Sequence, residues 1–319
     1  MLDEVGHWLR RRSWRAADRP LDQLLAAKRR TGTTVSVVLP ALDEEETVGR
    51  IVSVIRRDLS ALVDELVVMD SGSTDRTAEV AAAAGAKVIH RDEVLPRLAP
   101  SPGKGEVLWR SLLATHGDVV CFVDADLREF SASFVSGIVG PLLTDPDVAF
   151  VKAMYDRPLD GVPAGGGRVT ELVARPLLNL HWPRLAGIVQ PLGGEYAARR
   201  SLLERLPFPV GYGVELALLI DALETAGLDA LAQVDVGVRH HRHQDGQALG
   251  RMAAAIYATA ERRLPQGSAR ARSLTPLTPL TQFERDASGA FVPRDHVLVT
   301  EERPPMRTVP EYAPRGTYV

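Results

Sequence analysis

Between residues 35 and 126 strand-like runs alternate with helical ones, without any internal repeat of the sequence itself. A short β-branched or aliphatic run is closed by a polar cluster, and apolar residues at helical spacing follow. Runs at 35–39, 65–69, 86–90 and 119–123 are too short for helices and read as buried strands. Between them, 45–59 carries Val48, Ile51, Val52, Ile55 and Leu59 at helical spacing. The alanine-rich stretch to Ala84 reads as a second helix, with Ser73 or Thr74 as its cap and Gly85 as its left-handed stop. A third helix is expected at 104–115. Strands that alternate with helices in this way predict a parallel sheet covered on both faces. Ligands of such sheets bind beyond the carboxyl ends of the strands, where each polar cluster falls.

The second half is less regular. Helices are expected at 133–143, 169–180 and 214–226, and strands at 148–154 and 230–238. The stretch beyond about residue 268 is rich in proline and poor in apolar clusters, and reads as an extended tail that wraps the surface or is partly disordered. The division this suggests is a helical arm (1–32), a first α/β half (33–150), a second half of the same domain (151–267) and the tail (268–319).

Composition narrows the function classes. A net charge of −3 gives no basic field for nucleic acid. Cys121 is the single cysteine, so no internal disulfide forms, which fits a reducing, cytoplasmic setting. No stretch reaches the roughly 18 apolar residues of a membrane span. The N-terminus lacks the apolar core of a signal peptide. Its basic residues, Arg10-Arg11-Arg12 and Lys28-Arg29-Arg30, flank helical patterns. These read as helices packed on the main body or as a membrane-surface or anion-binding arm.

The sharpest chemical signal is Asp124-Ala125-Asp126, two carboxylates at the end of an apolar strand. Carboxylates placed there need a compensating cation, and hard oxygen ligands suit Mg²⁺ or Mn²⁺. Such an ion would offset charge on a diphosphate leaving group; a plain turn or helix cap is the other reading. The acids after Pro40 either meet a nucleoside or complement a helix dipole. Asp70-Ser71-Gly72-Ser73-Thr74-Asp75 makes a small polar loop. Lys104, between two glycines at a helix start, suits an anion or is a solvated surface charge. In Arg239-His240-His241-Arg242-His243, alternate residues share one strand face, and the cluster offers imidazole to a metal or is a polar patch. Gly165-Gly166-Gly167-Arg168-Val169-Thr170 suits a phosphate or carboxylate, or is a flexible loop with a helix cap.

Together VSVVLPALDEEETV, ELVVMDSGSTDRTAEVA and GKGEVLWRSLLATHGDVVCFVDADL resemble the nucleotide-sugar domain of GT-A glycosyltransferases, and most of all the actinobacterial glucosyl-3-phosphoglycerate synthases. Asp43 stands where that family usually has asparagine, and the usual DSD is DAD. The resemblance implies a Rossmann-like, mostly parallel α/β sheet with a smaller acceptor-binding half. It implies retaining transfer of glucose from UDP-glucose or GDP-glucose to the 2-hydroxyl of D-3-phosphoglycerate, a first step towards glucosylglycerate and methylglucose lipopolysaccharide. By the same resemblance Pro40, Ala41, Leu42, Asp43, Glu44, Ser71, Lys104, Asp124, Ala125 and Arg239 bind the donor. Tyr212 and Glu215 face its glucose. Asp126 and His241 hold Mg²⁺ or Mn²⁺. Gly167, Arg168, Val169, Thr170 and His243 take the acceptor, and Leu192 lies beside the reacting centre. Asp126, Lys104, Leu192 and Glu215 are then the residues that act in catalysis, and a homodimer is expected. The rival readings are a polyprenyl-phosphate glycosyltransferase and a non-catalytic nucleotide-sugar sensor. A dehydrogenase is disfavoured because no GxGxxG follows the first strand.

Overall fold

The computed structural model describes residues 1–158, 167–239, 245–264, 279–285, 287 and 291–312. Its strands are β1 (Ser13–Arg15), β2 (Val35–Ala41), β3 (Glu65–Asp70), β4 (Lys87–His90), β5 (Val119–Phe122), β6 (Phe150–Asp156), β7 (Tyr196–Arg199), β8 (Phe208–Pro209), β9 (Leu231–Val238), β10 (Leu280–Arg285), β11 (Phe291–His296) and β12 (Glu302–Arg303). Its helices are α1 (Asp3–Arg12), α2 (Leu21–Thr31), α3 (Val48–Asp58), α4 (Thr77–Ala83), α5 (Lys104–Ala114), α6 (Ser133–Thr144), α7 (Arg175–His181), α8 (Arg200–Leu203), α9 (Val214–Ala226) and α10 (Gly246–Arg263).

Among the described residues, eight strands form one sheet in the order β1-β9-β6-β7-β5-β2-β3-β4. Every neighbouring pair is parallel except the two made by β7, which runs against both β5 and β6. The parallel sheet expected from the alternating pattern is present, and β7 makes it mostly rather than wholly parallel, as the resemblance implied. Apolar side chains pack on both of its faces, as buried parallel strands require. One layer joins Val48, Ile51, Val52 and Ile55 of α3 to Val37, Leu39 and Val68. The other joins Leu108, Trp109 and Leu112 of α5 to Val38, Val120 and Phe122.

Two helix starts differ from expectation. The helix after β2 begins at Val48, because Glu44 and Thr47 close a turn (Thr47 N to Glu44 O, 3.2 Å). The Thr47 hydroxyl instead donates to the Ala125 carbonyl at 2.6 Å and ties the β2 loop to the β5 loop. Neither Ser73 nor Thr74 caps α4. The Ser73 hydroxyl donates to Asp70 and the Thr74 amide to Asp43, while Asp75 accepts from the Thr77 amide at 2.9 Å. Short polar side chains in such loops compete for backbone groups, and loop-to-loop bonds win here.

The first 32 residues pack on the main body, and their one strand is built into the sheet. β1 pairs with β9, Trp8 is buried and its indole N–H donates to the Leu231 carbonyl at 2.8 Å. Arg11 and Arg12 pair with Asp229 and Asp145. Among the described residues no helix is long and apolar enough to cross a membrane.

The last described segment straps the start of α5. β12 pairs with β8, and the Val210 amide donates to the Glu301 carbonyl at 3.1 Å. Arg303 reaches the fully buried Glu106 at 2.6 and 3.0 Å, and Trp109 donates to the Pro304 carbonyl at 2.8 Å. Glu106 keeps Arg110 as a second partner at 2.7 Å. Arg303→Met therefore removes two charge-assisted bonds without leaving the carboxylate alone, and is expected to cost about 2 kcal/mol. Urea unfolding checks this; an unchanged midpoint would show that the strap adds nothing to stability.

Candidate active site

One cavity of about 480 Å³ opens over the carboxyl ends of β2, β3, β5, β6 and β9. Residues at the carboxyl end of each of these strands, or just beyond it, reach this rim. β2 brings Pro40, Ala41, Leu42 and Glu44, and β3 brings Ser71. β5 ends in Asp124, Ala125 and Asp126; β6 and β9 end in Arg157 and Arg239. Asp43 does not line the cavity. Its φ is +55°, and its carboxylate accepts from the Thr74 amide at 2.7 Å, so it braces the two loops.

Lys104 and Arg239 organise the carboxylates. The Lys104 ammonium contacts Asp124 and lies 2.8 Å from Glu215. Arg239 spans three acids, with Asp124 at 2.8 Å, Asp126 at 3.1 Å and Glu195 at 2.8 Å. Its own amide donates to the Asp156 carbonyl at 2.9 Å, which fixes it where β9 leaves the sheet. Glu195 is fully buried and also accepts from the Tyr155 hydroxyl at 2.7 Å.

These contacts separate the two aspartates. Burial pushes the Asp124 carboxyl up, but Lys104 and Arg239 outweigh it and hold the group below the usual carboxylate range. Burial raises Asp126, and Arg239 offsets this only in part because Asp124 and Glu195 add negative charge. Burial lowers Lys104, yet Asp124 and Glu215 carry it well above its ordinary value, so it stays charged.

Two glycines allow the close packing. Gly103 precedes α5 with φ +126°, a region that favours glycine, and a Cβ there would press on the Val210 carbonyl. That conformation sets the first turn of α5, from which Lys104 points into the cavity. At Gly194 a Cβ would collide with both Asp124 carboxylate oxygens and with the Lys104 ammonium.

Asp126 fits a divalent cation. It is a hard-oxygen donor facing the cavity, only Arg239 donates to it among the described residues, and the surrounding acids raise the demand for positive charge. The other metal ligand expected from the sequence, His241, lies outside the described residues, as does His243. Among those described, no cluster of three or more metal-ligating side chains occurs.

Gly167, Arg168, Val169 and Thr170, at the entry to a π-helical turn over Thr170–Ala174, also line the cavity. Leu192, Tyr212 and Glu215 line it as well. So, of the described residues expected at the site, all but Asp43 share this cavity. The sequence reading omitted Arg91, Gly103, Arg157 and the α10 face of Leu249, Met252 and Ile256, which also line it. The signal for α10 was present: Asp245 caps it, accepting from the Ala248 amide at 2.8 Å, and Leu249, Met252 and Ile256 stand at helical spacing.

Comparison with known proteins agrees with this fold. The glycosyl transferase family 2 model matches residues 36–166. Glucosyl-3-phosphoglycerate synthase of Mycolicibacterium smegmatis is 50% identical over 310 residues, covering 96% of this chain and 99% of that one. The crystal structure of glucosyl-3-phosphoglycerate synthase from Mycobacterium tuberculosis, in complex with Mn²⁺, UDP-glucose and phosphoglyceric acid, superposes with a TM-score of 0.80. It is 46% identical, over 90% of this chain and 94% of that one. Mannosyl-3-phosphoglycerate synthase from Rubrobacter xylanophilus gives a TM-score of 0.89 at 40% identity, over 95% and 99%. With half its residues shared along nearly the full length of the first of these relatives, the chain belongs to the glucosyl-3-phosphoglycerate synthase family, within glycosyl transferase family 2.

Proposed function

We propose that the chain transfers glucose from UDP-glucose to the 2-hydroxyl of D-3-phosphoglycerate with retention at the anomeric carbon. The observation that carries this is the meeting of two kinds of wall in one cavity. A nucleotide-type rim of Pro40, Ser71 and Asp124 lines the same cavity as an anion-type loop of Gly167, Arg168 and Thr170, together with the Lys104–Glu215 ion pair. A water-soluble acceptor bearing phosphate and carboxylate suits a loop that brings a guanidinium and a hydroxyl to the cavity lining at a helix entry.

In this reading Glu215, held by Lys104 at 2.8 Å, faces the glucose hydroxyls. Lys104 puts permanent positive charge where the diphosphate leaves. Arg239 keeps Asp124 and Asp126 in register. Asp126, with His241 as its expected companion, would hold Mn²⁺ or Mg²⁺, which supplies Lewis-acid stabilisation of the leaving diphosphate. The proposed course is front-face displacement, with Glu215 and Asp124 serving as partners of Lys104 rather than as a nucleophile. Exposed Leu172 and Leu180 in the second half are apolar surface suited to the proposed homodimer.

A panel of UDP-glucose, GDP-glucose, UDP-galactose and GDP-mannose, each with and without 3-phosphoglycerate, tests the assignment. UDP release from UDP-glucose is expected to depend on the acceptor and to stop with chelator. The likeness to the mannosyl synthase makes GDP-mannose the informative rival: faster turnover with it than with UDP-glucose would assign the sugar differently. Release indifferent to 3-phosphoglycerate would sink the acceptor.

A further inference from the structure

Lys152 is a charged side chain that the account above does not use. It lies on β6 with 1% of its surface exposed. Its ammonium donates to the Gly193 carbonyl and stands 5.0 Å over the Tyr196 ring. The ion pairs of the site go to Lys104 and Arg239 instead. Burial pulls Lys152 down to about 8, against the opposing pull of Glu215 and Glu195. Burying an ammonium to satisfy one carbonyl is an expensive way to hold a loop, and an apolar side chain of similar length would fill the same space without that cost.

What the carbonyl belongs to gives the arrangement its meaning. Leu192 lines the cavity, and Gly194 is pressed against Asp124 and Lys104. A Cβ at Gly193 would stand 2.7 Å from the Tyr155 hydroxyl. Glu195 is fixed by Tyr155 and Arg239. The segment is therefore clamped on its far side through Glu195, and on its near side by Lys152.

The geometry points to Lys152 as a positioning residue for glycosyl transfer. From beneath the site it pins the Gly193 carbonyl, and so sets the Leu192–Gly193–Gly194 backbone against the donor carboxylates and Lys104. This role rests on the transfer reaction proposed above.

The test compares wild type with Lys152→Met and Lys152→Arg, reading kcat, the KM for UDP-glucose and the melting temperature together. Met fills the space without charge or donor; Arg keeps both. Lys152→Met is expected to melt within a few degrees of wild type. Its kcat is expected to fall by about 10²-fold, because small displacements of a positioning backbone carry that penalty, with the KM for UDP-glucose within about threefold. Lys152→Arg is expected to regain at least about a tenth of wild-type kcat. If Lys152→Met does not fold, Lys152→Leu, which likewise carries neither donor nor charge, takes its place with the same expectation. Full kcat in a folded neutral variant overturns the proposal. So does a loss that tracks melting temperature equally in the neutral and Arg variants. Absence of transfer by wild type in the same assay would count against the reaction itself, not against the role of Lys152.

Discussion

Asp126→Ala is expected to lower kcat/KM by about 10³-fold or more, because it removes the cavity-facing oxygen donor assigned to the divalent cation and with it the charge compensation of the leaving diphosphate. The fold has little reason to suffer. Arg239 touches Asp126 at 3.1 Å but keeps Asp124 and Glu195, both at 2.8 Å, so no buried guanidinium is stranded. Removing Asp126 also removes a carboxyl that burial and its acidic neighbours already raise. Melting temperature should therefore hold while turnover collapses. Steady-state kinetics across a Mn²⁺ titration reads the first quantity and a thermal melt the second. A variant that turns over normally in chelator would remove Asp126 from the chemistry.

Gly194→Ala is the second large effect, and it comes from a single methyl group. The added carbon would overlap both carboxylate oxygens of Asp124 and the Lys104 ammonium. These are charged groups held by ion pairs to Arg239 and Glu215, not the free ends of flexible side chains. Relief requires Lys104 or the Gly193–Glu195 backbone to move, and a displacement of that order at reacting groups costs about 10² in rate. The expected outcome is a kcat/KM reduced by about 10²-fold with an intact cooperative unfolding transition. Near wild-type kinetics would mean that the contact between this backbone and the Asp124–Lys104 pair is not needed for turnover.

The first half of the molecule was legible because each strand is an unbroken apolar run cut off by a polar cluster, and each helix shows its buried stripe. The same logic located the rim of the cavity, since the ends of β2, β3 and β5 are visible as Pro40, Asp70 and Asp124. β7 was not legible. Tyr196-Ala197-Ala198-Arg199 has little strand propensity of its own, and it is extended because β5 and β6 pair with it from either side. α10 was hidden by Gly246 and Gly250, weak helix formers, and by its place after the histidine cluster, although its apolar spacing was in plain view. Glu195 gave no local sign of its role, because a carboxylate buried under Arg239 and Tyr155 is defined by partners 44 and 40 residues away in sequence. Asp43 shows the opposite case. A motif position marked it for the donor, and the structure turns its carboxylate towards Thr74.

The claim beneath all of this is that a divalent cation and a diphosphate meet at the end of β5. Crystals of the protein grown with Mn²⁺ and UDP-glucose, measured for anomalous scattering at the manganese edge, test it directly. The account predicts a manganese peak beside the Asp126 carboxylate, with the diphosphate between it and Lys104. A peak elsewhere, or a diphosphate bound away from Asp126 and Lys104, contradicts it.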